Sequence, residues 1–386
     1  MKKDKKISLN VVITLIIVSI FMTFATTYFV INMLYYNKYK EYKLLGEAEA
    51  YVNKFFYKDD VDKENLIDGA VGGYIGGLED KYSRYQNLES TNQNSESQMG
   101  VHTGIGISVT LADDGYINIE EVSENSPSSK AGLKVGDIIV CVNGNDVAKT
   151  GYEQSVMAIQ DGAPDSELTL GIKRGEVTSD FTLKREKIEI ITVEGELLDN
   201  SVAHISISKF NEKTPEQLSE KMKELIDDGA KGIIFDLRNN GGGLVSSVEK
   251  CLDPLLPEGD IAVAISKNGD KDTIIKSDAE ETDISMVILI NENSASGAEL
   301  FSASLRDFKN VDLIGQNSYG KGVMQDTFKL SDGSTIVLTV ARYKTTKSEC
   351  YNGIGLAPDY EVKDDDQTST DEQLDKALKV IKGKIN

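Results

Sequence analysis

A run of apolar residues from Ile284 to Ile290, broken only by Ser285, ends abruptly in Asn291-Glu292-Asn293. It then passes through Ser294-Ala295-Ser296-Gly297-Ala298 into Glu299-Leu300-Phe301-Ser302-Ala303. The pattern predicts a buried strand, a tight turn and a helix N-terminus in immediate succession. A serine at that junction sits where the unpaired N–H groups of the first helical turn point, so an oxyanion formed beside it meets donors at once. The same composition also makes an ordinary N-cap. What separates the two readings lies elsewhere in the chain.

From Val202 onward, strand-like and helix-like stretches alternate, which argues for an α/β core. VAHISISKF reads as a strand, with His204 as one of its residues. TPEQLSEKMKELIDDGA reads as an amphipathic helix capped by Thr214 or Asn211, with Gly229 near its end. Gly232 to Leu237 reads as a buried strand running into Gly241-Gly242-Gly243. A helical SSVEKCLDPLL, a strand IAVAIS and the strand before Ser296 follow. Active sites of such cores lie at the carboxyl ends of strands, and both the triple glycine and Ser296 stand at such ends. Consecutive glycines leave backbone N–H groups unshielded, which suits the other half of an oxyanion site, at a cost in chain entropy for a mere loop. Further on, Lys321 lies between Gly320 and Gly322, with Gln325 four residues later. In a strand beginning at Gly322, Val323 and Gln325 share a face. A lysine in a confined site loses solvation, its pKa falls and it becomes a usable base. Serine–lysine pairing is an alternative to serine–histidine. A solvated surface lysine is the plain alternative.

The 386 residues leave room for two or three domains, and 40% apolar content supports real cores. A net charge of −21 excludes the basic face that nucleic-acid binding needs. Cys141, Cys251 and Cys350 are far apart and form neither a disulfide framework nor a metal site. No metal, nucleotide or other cofactor is implied. The span Val11 to Val30 carries no charge and follows Lys2-Lys3-Lys5-Lys6. Twenty helical residues cross a bilayer core, and the lysines argue for an N-terminus inside. The expectation is a single-pass transmembrane signal anchor over 11–34, after a cytoplasmic 1–10, with the bulk of the chain outside the cell membrane. A cleaved signal peptide is the rival. Residues 35–95 read as a helical segment able to support a homodimer, ending in a turn-rich connector. Asn92 to Met99 reads as polar and mobile.

Between 96 and 190, Gly104-Ile105-Gly106-Ile107 opens a strand. Ser126 to Gly144, SPSSKAGLKVGDIIVCVNG, reads as a short helix over Ser128–Ala131, turns at Gly132 and at Val135-Gly136-Asp137, and a strand over Ile138–Val142. This run resembles a PDZ domain, and Gly104–Ile107 lies where PDZ domains place their carboxylate-binding loop. The backbone N–H groups of Ile105, Gly106 and Ile107 could hold a terminal carboxylate while a peptide adds a strand to the sheet edge.

Taken in order, the helical segment ending in Asp80-Lys81-Tyr82-Ser83-Arg84-Tyr85, the PDZ run, DLRNNGGG at Asp236–Gly243, NENSASGAE at Asn291–Glu299, YGKGVMQ at Tyr319–Gln325 and NGIGLAPD at Asn352–Asp359 resemble the carboxyl-terminal processing proteases, the tail-specific serine peptidases. The resemblance covers nearly everything after the anchor. It implies an α/β, crotonase/ClpP-like protease core over 191–386 with an inserted-type, β-rich PDZ domain over 96–190. It implies Ser296 as nucleophile (Ser294 the rival), Lys321 as general base and Gln325 as the residue holding the lysine. Gly297, Gly242 and Gly243 are the implied oxyanion donors, and protein substrates with a free, apolar C-terminus the implied partners. The chain departs from the family's pattern at Gly241, where many members have proline, and at Gly297, where alanine is usual. It departs again at Ile159–Gly162, which lacks an arginine, and in the loop Thr345–Cys350. Two rivals remain: a catalytically silent PDZ peptide-binding scaffold on a protease-like fold, against which intact Ser296, Lys321 and Gln325 argue, and a crotonase-like acyl-transfer enzyme, against which the PDZ insert argues.

Overall fold

The computed structural model describes residues 8–39, 42–198, 201–278, 281–363 and 370–385. The chain divides into two compact units, residues 1–67 and 68–386. The first holds helix α1 (Leu9–Tyr39) and helix α2 (Lys43–Phe55). Within α1 the stretch Leu9–Leu34 has a mean hydropathy of 2.3, is long and apolar enough to cross a membrane, and is nowhere buried by protein.

After α3 (Lys63–Gly76) come β1 (Arg84–Gln86) and α4 (Leu88–Met99). The expected mobile stretch Asn92–Met99 is therefore helix. Asn87 caps it by accepting from Ser90 N–H, and Gly100 ends it in the left-handed conformation. The two caps, together with contacts to later strands, override its polar composition. The expected connector around Arg84 is likewise a strand, paired with β18 below.

The PDZ-like portion runs β2 (Val101–Gly104), β3 (Ile107–Leu111), β4 (Ile117–Val122), α5 (Pro127–Ala131), β5 (Ile138–Val142), β6 (Asn145–Asp146), α6 (Val147–Thr150), α7 (Tyr152–Gln160), β7 (Glu167–Arg174), β8 (Val177–Lys184) and β9 (Glu186–Glu189). Among the described residues, β3-β4-β5-β7-β8 form one sheet with β3 at its edge, and β2 pairs with β9. Alternate residues such as Ile117, Ile119, Leu168, Leu170 and Ile172 point inward to a separate core.

The last portion runs β10 (Val193–Leu198), β11 (Val202–Ile207), α8 (Thr214–Asp227), β12 (Gly232–Asp236), α9 (Val245–Leu252), β13 (Gly259–Ser266), β14 (Lys271–Ser277), β15 (Ser285–Ile290), α10 (Gly297–Lys309), β16 (Asp312–Gly315), β17 (Val323–Lys329), β18 (Thr335–Thr345), β19 (Tyr360–Glu361) and α11 (Glu372–Ile385). One sheet has the order β10-β11-β12-β15-β16-β19, parallel from β11 onward. Both of its faces are covered. Ile233, Phe235 and Ile288 pack toward α8, α9 and α10, while Ile234, Val287 and Leu289 pack toward Ala377 and Ile381 of α11. This is why these strands read as unbroken apolar runs. A second sheet, β1-β18-β13-β14 with β17 on β18, carries Gln325, with Lys321 just ahead of β17, toward the turn that holds Ser296.

Arg238 locks α11 to the end of β12. Its guanidinium bonds Asp236 (2.6 Å) and Asp371 (2.8 Å). Burial works to raise the Asp236 carboxyl, but hydrogen bonds from His204 and Arg238 outweigh it and hold the group at about 2. His204 is a strand residue, as its alternating context implied.

Phe301, on the first turns of α10, lies T-shaped on Phe235 at 5.4 Å and 5.6 Å from Phe210. Phe301→Ala should cost about 3–5 kcal/mol by opening a cavity under α10. A urea midpoint unchanged from the parent would contradict this packing.

Candidate active site

β15 delivers the chain into Asn291, whose side chain bonds the turn ahead by accepting from Asn293 N–H (3.1 Å) and that of the neighbouring strand by accepting from Asn239 N–H (2.9 Å). Ser294 is fully buried; its hydroxyl donates to Leu237 C=O (2.7 Å) and accepts from Asn291 N–H (2.9 Å). It is a structural member of the turn, which leaves Ser296 as the hydroxyl facing the cleft. Ser296 has φ +56° and ψ −114°, a region that non-glycine residues rarely occupy. That backbone presents its side chain to a cavity of about 570 Å³, which Lys321, Gln325 and Gly241–Gly243 also line.

The three glycines expected as oxyanion donors differ in what their amides bond. The Gly242 N–H is already bound to Asn240 Oδ1 at 2.8 Å, so it is not available. The N–H groups of Gly243 and Gly297 have no protein acceptor among the described residues, and the two glycines touch: a Cβ on Gly297 would lie 3.1 Å from Gly243 N. Glycine is needed at 242 and 243 for contact as well as conformation. At φ +99°, a Cβ on Gly242 would lie 2.6 Å from Gly297 N; at φ +154°, one on Gly243 would lie 1.9 Å from the Phe210 carbonyl oxygen.

Glu299, fully buried, ties the Ser296 turn to the loop that carries Lys321. One carboxylate oxygen accepts from Ser318 Oγ (2.5 Å) and Gly320 N–H (2.7 Å), the other from Ser296 N–H (2.9 Å) and Lys321 N–H (2.7 Å). Sequence reasoning overlooked this residue, although Ser-x-x-Glu at a helix start is a legible signal. It overlooked Tyr343 as well, whose hydroxyl donates to Lys321 C=O at 2.7 Å. Burial pushes the Tyr343 phenol well above its ordinary range, the Ser296 side chain beside it acting the other way, so it stays protonated.

Lys321 is half-buried, with its ammonium 4.9 Å from the centre of the Tyr82 ring. Desolvation lowers its pKa and Arg84 lowers it further, while Asp80 and Glu299 oppose. No hydrogen bond joins Lys321 Nζ to Ser296 Oγ among the described residues; in unliganded sites such bonds often tighten only with substrate. Gln325 follows a bulge in β17, after which it stands opposite Thr339. Its amide donates to Thr339 Oγ1 (3.3 Å) and Val323 C=O (3.4 Å), and no hydrogen bond from Lys321 Nζ reaches its oxygen among the described residues.

In the PDZ-like portion, the carbonyls of Ile105 and Gly106 are drawn to the Ser128 hydroxyl at 2.6 and 2.8 Å. The N–H groups of Ile105 and Gly106 have no protein acceptor among the described residues. Ile107 and Val109 turn their own N–H and C=O to the free edge of β3, because Ser123 bonds Gly106 and Ile119 bonds Gly136 and Asp137 instead. Across that edge stands α7, from which the Tyr152 hydroxyl donates to Val109 C=O at 3.2 Å.

The structure brings a serine on a strained turn at a helix N-terminus, a desolvated lysine and unengaged amides into one cleft, an arrangement of the kind that serine-type hydrolases use. The sequence pattern of peptidase family S41 matches residues 201–362, and that of the PDZ domain matches 119–174. The carboxy-terminal processing protease CtpA of Bacillus subtilis is 34% identical over 318 residues, 82% of this chain and 67% of that one. A CtpA-like serine protease named as probable in Staphylococcus aureus is 32% identical over 80% of this chain and 62% of its own. A solved structure from Bacteroides fragilis described as an S41 protease shares the fold, with 17% identity, a TM-score of 0.51 and coverage of 85% and 92%. The chain belongs to peptidase family S41, among the carboxy-terminal processing proteases.

Glu299→Gln is a test of the four-fold junction. An amide can satisfy at most the donors on one side and turns its own N–H groups on the rest. The expected loss is about 2 kcal/mol or more in urea unfolding, and a variant as stable as the parent would mean that the carboxylate is not needed there.

Proposed function

We propose that this chain is a membrane-anchored serine endopeptidase that cleaves proteins near their C-termini, with the Ser296–Lys321 dyad as its machinery. The observation that carries the reading is Ser296 itself, held in a strained backbone and sharing one cleft with a desolvated lysine. In the proposed reaction, neutral Lys321 takes the Ser296 hydroxyl proton as Oγ bonds to the scissile carbonyl carbon. The carbonyl oxygen becomes an oxyanion held by Gly243 and Gly297 N–H. The protonated lysine then gives its proton to the leaving amine as the C–N bond breaks. Water, deprotonated by the same lysine, releases the acyl group and restores the serine. Gln325 steadies the lysine. Phe210, Leu244, Val245, Met324 and Val337 supply the cleft with apolar wall, suited to apolar residues flanking the bond.

The PDZ portion, taken as residues 96–190 ahead of a core over 191–386, captures the substrate tail. Its terminal carboxylate would meet the Ile105, Gly106 and Ile107 amides while its backbone pairs with the free edge of β3. The helix over 11–34 would anchor the chain in the cell membrane with the catalytic portion outside.

Three measurements test this. Full-length parent in detergent should degrade an unstructured protein with an apolar C-terminus, and Ser296→Ala and Lys321→Ala should each abolish turnover; equal cleavage by all three would remove the dyad. Peptide binding without cleavage by the parent would favour a silent scaffold. Because the base must be neutral and its pKa lies below the ordinary lysine value, kcat/KM should rise with pH through a midpoint below about 10.5. Arg84→Gln removes a positive neighbour, so Lys321 holds its proton more tightly and the midpoint should move to higher pH. A profile flat from acid to alkaline conditions would sink the lysine base.

A further inference from the structure

The turn Asp80-Lys81-Tyr82-Ser83-Arg84 belongs to no step described so far, yet it reaches the cleft from the opposite end of the sequence. We propose that Asp80 is a positioning residue for the reaction: acting through the Thr339 hydroxyl, it decides which way round the Gln325 side-chain amide stands, and so keeps the amide oxygen available to the Lys321 amine. The inference rests on the reading of Lys321 as base and Gln325 as its support.

Asp80 Oδ2 receives the Ser83 hydroxyl at 2.5 Å, the Thr339 hydroxyl at 2.6 Å and the Ser83 N–H at 3.1 Å. Burial works to raise the Asp80 carboxyl, but the hydrogen bonds from Ser83 and Thr339, with those of the backbone, outweigh it and leave the group below its ordinary range. It is therefore ionised at neutral pH and can only accept. Thr339 has one hydroxyl proton, and Asp80 takes it. What Thr339 Oγ1 can offer Gln325 is a lone pair, so the end of the amide facing it must be the NH2 group. The observed contact is that one, Nε2 to Oγ1 at 3.3 Å, with Val323 C=O accepting from the same nitrogen at 3.4 Å. A reversed amide would set its oxygen against an oxygen with no proton to give.

Both amide donors are then occupied, and Oε1 has no protein donor among the described residues. Lys321 lines the same cavity. An acceptor there can hold one N–H of the amine and leave the nitrogen lone pair for Ser296. The arrangement depends on the bulge in β17, which sets Gln325 opposite Thr339 on β18. It depends equally on β1, whose pairing with β18 brings the Asp80 turn alongside, where Ser83 Oγ also accepts from Thr339 N–H at 3.1 Å.

Thr339→Val keeps the shape and leaves in place the charges that most affect Lys321, namely Arg84, Asp80, Glu299 and Lys81, while it removes the relay and the hydroxyl that Asp80 accepts from. In the full-length chain in detergent, with casein as substrate, it should lower kcat about tenfold with little change in KM, and Thr339→Ser should restore the rate. Asp80→Asn should lower kcat similarly and also move the acid limb of the pH profile downward, because a negative neighbour of the lysine is lost. In a Gln325→Ala background, Thr339→Val should have no further effect, since the two act through one another. The proposal is overturned if Thr339→Val costs the same factor with and without Gln325, or if Thr339→Ser folds with the parent's melting temperature and stays slow. A parent-like Gln325→Ala would remove the support role and the proposal with it. Undiminished cleavage by Ser296→Ala would instead bring down the dyad reading itself.

Discussion

Everything at the cleft hangs on one buried carboxylate. Glu299 holds the amide of Ser296 on one side and the amides of Gly320 and Lys321 on the other. It therefore joins two segments that reach the site from different sheets. Hydrogen bonds to a charged acceptor in a low-dielectric interior are strong when all are made and costly when any is missing. The spacing of the Ser296 turn and the Lys321 loop is thus set by backbone bonded to a common centre. Side-chain rotamers, which are softer, need only make the final adjustment.

Much of this was legible in the residues, and the reasons for the exceptions are physical. The parallel strands could be read because both faces of the sheet are covered and the apolar runs are unbroken. The turns at Ser296 and Gly241–Gly243 could be read because strand ends of an α/β core concentrate small residues. Helix α4 could not: its sequence is polar, its own packing weak, and its order comes from an Asn87 cap and a left-handed Gly100. The withdrawal of the Gly242 amide could not be foreseen either, because it depends on the rotamer of Asn240. The bulge before Gln325 shifts a register that alternation alone would have run straight through.

The fold is also economical in how it treats buried charge. Arg238 is shared between Asp236 and Asp371, so β12 and the last helix are joined by ion pairs whose members are mutually satisfied. The partner residue Asp371 lies far along the chain, so this pair ties the C-terminal helix to a strand from the middle of the sheet. Cys251, buried between α9 and the sheet, has its thiol pushed up to about 12 by desolvation and is chemically quiet.

The Tyr152 hydroxyl on the Val109 carbonyl also changes what the edge of the sheet can do. β3 is an outermost strand, and an outermost strand with bare carbonyls is a template on which another molecule's strand can add. By occupying a carbonyl in the middle of that edge with a side chain of its own, the chain leaves one fewer bare acceptor on which a passing strand could add.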